Sequence, residues 1–105
     1  MVFIETTSFS RLLPQYLNDD EYLALQHFLM DQPDAGDLIQ GAGGLRKLRW
    51  SKENKGKRSG TRVIYYWHIS EDQIFLFTIY AKNEVIDLSA KEKKALRKLL
   101  EDWDS

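Results

Sequence analysis

The sequence predicts an α+β protein with element order β-α-α-β-β-β-α, a mainly antiparallel sheet and a two-layer sandwich arrangement. Three observations lead there. Two segments repeat apolar residues at helical spacing behind capping-box signals. Three segments, 45–50, 61–69 and 74–80, read as strands separated by turn formers, and 61–69 is rich in β-branched and aromatic residues. The length of 105 residues, 43% hydrophobic and 30% charged, suits one domain spanning 1–105 that can bury a real core.

Val2-Phe3-Ile4-Glu5 reads as the first strand. Thr7 or Ser8 caps a helix that begins near Phe9. Pro14 lies about a turn and a half in, which predicts a short or distorted helix. Asn18 and Glu21 form a capping box, and Tyr22, Leu25, Phe28 and Leu29 then make one apolar helical stripe. Pro33 and Gly36 close it. Gly41, Gly43 and Gly44 follow. They lack the spacing and the Lys-Ser/Thr ending of a phosphate-cradling loop and precede a strand, so a turn is expected. Between the next two strands, 51–60 predicts a long mobile hairpin loop, and Ser70-Glu71-Asp72-Gln73 a tighter one. Ser89 with Glu92 is a further capping box. It opens a last helix with Ala95, Leu96, Leu99, Leu100 and Trp103 on one face. Helices covering one side of the sheet would leave the other open.

Cysteine is absent, which excludes a disulfide framework and a thiolate metal site. No stretch approaches the ~18 apolar residues of a membrane span. The start lacks the basic and long apolar regions of a signal peptide. A cytoplasmic protein with no membrane partner is expected. The two histidines, His27 and His68, fall on different elements without a carboxylate cluster, so neither metal nor cofactor is expected. His27 reads as a surface or boundary residue of its helix, and His68 as a strand-end residue at the edge of any site. No Ser-His-Asp spacing is present.

Net charge is −1, but it is strongly polarised. Residues 46–62 hold eight basic side chains against Glu53 alone, a net +7, and the rest of the chain is −8. Residues 1–45 have seven acids and one base, Arg11. Such a stretch is either a solvated loop or a polyanion site. Strand alternation helps to decide. It sets Leu48 and Trp50 against Lys47 and Arg49. It sets Val63, Tyr65 and Trp67 against Arg62, Ile64, Tyr66 and His68. In the last strand Phe75, Phe77 and Ile79 are expected as core, opposite Thr78, Tyr80 and Lys82. One open face then carries Lys47, Arg49, Arg62, Tyr66, Thr78, Tyr80 and Lys82. Cations would hold phosphates and tyrosines would stack on unpaired bases; the alternative is that the rings simply cover exposed sheet.

Three stretches resemble the RelE/HigB family of bacterial toxins: Gly41 to Trp50, Gly56-Lys57-Arg58-Ser59-Gly60-Thr61-Arg62-Val63-Ile64-Tyr65-Tyr66-Trp67, and Tyr80-Ala81-Lys82-Asn83-Glu84 followed by Asp87-Leu88. The Lys-Arg-Ser-Gly hairpin loop is most similar to the HigB-type branch. The likeness covers essentially the whole chain and implies a RelE-like fold. It also implies a ribosome-dependent mRNA endoribonuclease that cuts the codon in the ribosomal A site. The ribose 2′-OH attacks its own 3′ phosphate without a metal, and translation stops.

By that resemblance Arg62 contacts phosphate, Lys82 supplies a second catalytic cation, and Lys47 and Arg49 match the alternating basic positions of the preceding strand. Lys57 and Arg58 in the loop would touch RNA, as would Tyr66. The chain departs from RelE itself at Asn83, where RelE has an Arg, and residues 89–105 contain no Tyr to match RelE's C-terminal tyrosine. The general acid is thus open between Tyr80, Tyr66 and no tyrosine at all. Implied partners are a cognate antitoxin of helix-turn-helix type, the ribosome and its mRNA, and DNA only indirectly through the antitoxin complex. Two other functions fit the same residues: a non-nucleolytic, gyrase-directed ParE-like toxin, and an RNA-binding module without turnover. A structural adaptor using the sheet edge is a third.

Overall fold

A computed structural model describes residues 1–50, 60–84 and 90–104. The elements are β1 (Val2–Glu5), α1 (Thr7–Tyr16), α2 (Asp19–Asp31), β2 (Asp37–Leu38), β3 (Arg46–Trp50), β4 (Thr61–His68), a short 3-10 turn (Ile69–Glu71), β5 (Gln73–Ala81) and α3 (Ala90–Asp104). The strands form one five-stranded sheet in the order β1-β5-β4-β3-β2. Every pairing is antiparallel except β1 with β5. The expected α+β class and mainly antiparallel sheet are both present. The two-residue strand β2 was not predicted, because two residues carry no alternation.

Local chemistry sets the helix starts. Thr6, rather than Thr7 or Ser8, caps α1: its Oγ1 accepts from the Phe9 N–H at 3.0 Å while its hydroxyl donates to the Phe77 carbonyl at 2.8 Å. One side chain thus satisfies an orphan helix donor and ties the helix to β5. Pro14 lies inside α1, which is short and ends two residues later at Tyr16. The Asn18–Glu21 capping box of α2 is complete, with both reciprocal bonds at 2.8 Å. The other expected box includes Ser89, which lies outside the described residues, as does the hairpin loop at 51–59.

The first core layer lies between α1, α2 and the sheet. Phe9, Leu25 and Leu29 from the helices meet Leu48, Val63, Tyr65, Ile74, Leu76 and Ile79. Truncating Leu25 or Leu29 to Ala would cost about 2–5 kcal/mol. Among the described residues Tyr65 is the largest fully buried side chain. Its hydroxyl donates to the Pro33 carbonyl at 2.7 Å and accepts from the Gly36 N–H at 2.9 Å. Gly36 is obligatory there, since a Cβ would lie 2.8 Å from Tyr65 Cε1.

The reverse face differs from the expectation of an open sheet. A second cluster of Ala42, Leu45, Ile64, Phe75, Phe77, Tyr80 and Leu100 packs there, flanked by Leu96, so α3 covers part of that face. Phe75 and Phe77 belong to this side and do not share the core face with Ile79. The cause is an irregularity in the β4–β5 pairing. Ile64 pairs with Thr78, but Tyr65 pairs with Leu76, which skips Phe77. One extra residue in β5 reverses the alternation on either side of it.

A candidate RNA-binding face

Pairing across the sheet brings the predicted cations together. Arg49 of β3 pairs with Arg62 of β4, and Arg62 pairs with Tyr80 of β5. One step along, Lys47 pairs with Ile64 and Ile64 with Thr78. Because Leu45 and Ile64 pack on the α3 side, alternation puts Lys47, Arg49 and Arg62 on that side too. Leu48, Trp50, Val63, Tyr65 and Trp67 pack on the opposite side, as expected. No described carboxylate forms an ion pair with Lys47, Arg49, Arg62 or Lys82. Arg49 and Lys82 are exposed, and Lys47 and Arg62 are half-buried. Lys57 and Arg58 lie outside the described residues.

Arg46 shows what a structural cation looks like in the same strand. It faces the helical side, where its Nη1 donates to the Gly36 carbonyl at 2.8 Å and the Asp34 carbonyl at 3.2 Å. The cations of the other face have no such backbone acceptors among the described residues.

The two tyrosines divide. Tyr80 lies on the expected side but is 7% exposed, packed with Phe77 and Leu100. Its ring is therefore buried and is not the open stacking surface that alternation suggested. Tyr66 is half-buried, with its ring tilted against Phe75 and His68 at centroid distances of 6.0 Å each. His68 completes the triangle at 5.9 Å from Phe75, and its Nε2 lies 3.3 Å from Ser70 Oγ. Tyr66 is four residues along β4 from Arg62, about 13 Å. His27 is exposed on α2, away from both.

The glycine turn closes against these groups. Gly43 and Gly44 have φ of +69° and +106°. A Cβ on Gly44 would lie 3.0 Å from Tyr66 Cε1, so Gly44 lets the turn approach the ring.

Lys82 is placed by contacts that sequence reasoning missed. Its N–H donates to the Gly60 carbonyl at 3.1 Å, which ties it to the start of β4. The turn 81–84 closes through the Glu84 N–H to the Ala81 carbonyl at 3.0 Å. Glu84 Oε1 in turn accepts from the Ala81 N–H at 2.8 Å, and the Tyr16 hydroxyl of α1 donates to the same oxygen. The Tyr16 hydrogen bond, with that of Ala81, holds the Glu84 carboxyl below its usual range; the same bond pushes the Tyr16 phenol up. Tyr16 and Glu84 are 68 positions apart, and no local pattern links them.

A groove of about 780 Å³ lies beside this face, between the start of α1 and α3. Phe77, Leu96 and Leu99 form its apolar walls. Among the described residues, no three His, Cys, Asp or Glu side chains gather in a group able to hold a metal ion. No described helix is long and apolar enough to cross a membrane.

Two solved structures share the fold. The E. coli toxin RelE, as an arginine-substituted mutant in the free state, superposes with a TM-score of 0.54 at 14% identity, over 94% of this chain and 95% of that one. A chain of the intact E. coli RelBE toxin–antitoxin complex superposes with a TM-score of 0.55 at 12% identity, over 74% of this chain and 92% of that one. Residues 4–105 match the family described as the RelE toxin of the RelE/RelB toxin–antitoxin system, and the chain belongs to that family.

Proposed function

We propose that the chain is a ribosome-dependent mRNA endoribonuclease that cleaves in the ribosomal A site and arrests translation. The observation that carries this reading is the cation row. Arg49 and Arg62 stand in register beside Tyr80, with Lys47 and Lys82 nearby and no described acidic partner for any of the four. Neighbouring cations without counter-charges favour a polyanion.

The chemistry follows from that placement. The 2′-OH attacks the adjacent phosphorus, the bond to the 5′ oxygen breaks, and a 2′,3′-cyclic phosphate and a 5′-OH result. Arg62 holds the phosphoryl oxygens and neutralises the charge that grows on them, with Lys82 as the second cation. Tyr80, whose backbone pairs with that of Arg62, is the phenol assigned to proton transfer. Tyr66, on its aromatic support, stacks on a base further along the strand. No step calls for a metal or an organic cofactor. Lys57 and Arg58 extend the phosphate contacts.

The partner that restrains the toxin is an antitoxin, as in the RelBE complex whose fold it shares. It is of helix-turn-helix type, and DNA is reached only through it. The setting is the cytoplasm, where ribosomes are. Programmed ribosomes incubated with the purified protein test the reading: A-site cleavage with 2′,3′-cyclic phosphate ends is expected. Intact mRNA would overturn it. Intact mRNA with blocked DNA supercoiling would favour a gyrase-directed toxin, and RNA binding without cleavage a binding module.

A further inference from the structure

We propose that Glu84 is a positioning residue for Lys82, with Tyr16 as its anchor. The inference rests on the reading of Lys82 as part of the RNA-cleaving site. Lys82 lies just beyond the end of β5, where the sheet no longer holds the chain. An exposed lysine on a loose turn would sample many positions, and cleavage needs its charge at one. Three contacts remove that freedom. The Lys82 N–H is bound to the Gly60 carbonyl across to β4. The Glu84 N–H closes the turn onto the Ala81 carbonyl. The Glu84 carboxylate closes it a second time onto the Ala81 N–H.

A turn closed only on itself could still swing as a unit about the end of β5. Tyr16 prevents this. It comes from the last turn of α1, whose Leu12 and Leu13 pack on the first core layer, so its hydroxyl is a fixed point on the body of the protein. It donates to the same carboxylate oxygen that holds the Ala81 N–H. Glu84 therefore joins a rigid helix to the turn that presents Lys82. An ionised carboxylate makes the stronger acceptor for both donors, and the downward shift of its pKa keeps it ionised.

The carboxylate is also an unusual neighbour for a site that binds phosphate. A free Glu beside Lys82 would repel RNA and compete for the cation. Both bonds made by Glu84 direct its charge to Tyr16 and the Ala81 amide.

The test combines a double-mutant cycle with amide exchange on the full chain. Glu84→Ala should speed hydrogen exchange at the Ala81 and Lys82 amides and slow single-turnover mRNA cleavage on programmed ribosomes by about 10-fold. Tyr16→Phe, which removes only the hydroxyl, should reproduce part of both effects in a protein that stays folded, with only a small drop in melting temperature. In a Lys82→Ala background, Glu84→Ala should cost less than about 2-fold, because its effect runs through a lysine no longer present. Equal losses in both backgrounds, or unchanged amide exchange in both single variants, would overturn the assignment of Glu84. Lys82→Ala cutting at the parental rate would instead overturn the placing of Lys82 in the site. The two failures are therefore distinguishable.

Discussion

Arg49 and Arg62 face each other across the β3–β4 pair. Directly opposed like charges destabilise a sheet, and no described carboxylate relieves these two. The protein carries this cost on the face that the proposed RNA would occupy. Arg49→Gln removes the Arg49–Arg62 repulsion while keeping a long polar side chain. Its melting temperature at low salt should rise by about 2–4 °C, from a gain of ~0.5 kcal/mol. Raising the salt should erase the gain, since exposed charges are screened. RNA affinity should fall in the same variant. A lower melting temperature with full RNA binding would show that the pair is structural.

Arg62→Ala probes the centre of the row. Arg62 sits between Arg49 and Tyr80 in register, on a strand paired on both sides, so its guanidinium is better held than one on a loop. Loss of its stabilisation of the transition-state charge should slow cleavage by about 100-fold, or ~3 kcal/mol. Its side chain lies outside both core clusters, so the melting temperature should change little. Cleavage at the parental rate in a folded Arg62→Ala protein would remove Arg62 from the site.

How far the sequence disclosed this arrangement depends on the range of each contact. The faces of β3 and β4 were legible because alternation is a local rule, and the pairs Arg49–Arg62 and Lys47–Ile64 follow it. The Asn18–Glu21 box was legible for the same reason. The face of Phe75 and Phe77 was misassigned because a bulge depends on the partner strand. Thr7 or Ser8 was expected as the cap of α1 because the acceptor that selects Thr6, the Phe77 carbonyl, is 71 positions away. Amphipathy marked a face on α3 but not which side of the sheet would receive it, so the second core cluster that holds both Leu100 and Tyr80 was invisible. The Tyr16–Glu84 bond left no trace in the sequence.

The salt dependence of RNA binding counts the cations in use. Lys47, Arg49, Arg62 and Lys82 offer four phosphate contacts. These four contacts to a single strand predict a log–log slope of affinity against salt near −3, or about −4 with Lys57 and Arg58 included, and each cation removed makes it shallower by about 0.7. Titrations by fluorescence anisotropy at several salt concentrations would measure it. A slope near zero would exclude binding led by phosphates.

Gly44→Ala tests whether the glycine turn supports Tyr66. The position combines a φ of +106° with a Cβ path 3.0 Å from Tyr66 Cε1. Backbone strain and the ring contact together should cost about 1–3 kcal/mol in urea unfolding. Displacing the Tyr66 ring should also weaken RNA binding more than it slows cleavage of bound RNA. A variant as stable as the parent would mean that the turn adapts and the ring is not held by it.

Tyr65 provides a prediction on the other side of the sheet, away from the cations. Its phenol is buried, and burial is the main cause that raises its pKa above the ordinary 10.0. Tyr65→Phe would leave the Pro33 carbonyl and the Gly36 N–H without the partner they share, costing about 1–3 kcal/mol at neutral pH. Cleavage should persist below the melting transition, because Val63, Tyr65 and Trp67 face the helices while Arg62 faces away. The same group makes a pH signature. The folded protein holds the Tyr65 proton more tightly than the unfolded chain, so this stabilisation is complete below pH 10 and declines as pH rises from there through the folded value. Tyr16 and Tyr22 are raised as well and contribute in the same sense. Above pH 10, urea stability of Tyr65→Phe should therefore fall with pH less steeply than that of the parent, by up to one proton's worth of slope, leaving the share of Tyr16 and Tyr22. Parallel slopes in the two proteins would mean that Tyr65 does not titrate with folding, and an inactive but stable Tyr65→Phe would mean that the helical face takes part in cleavage.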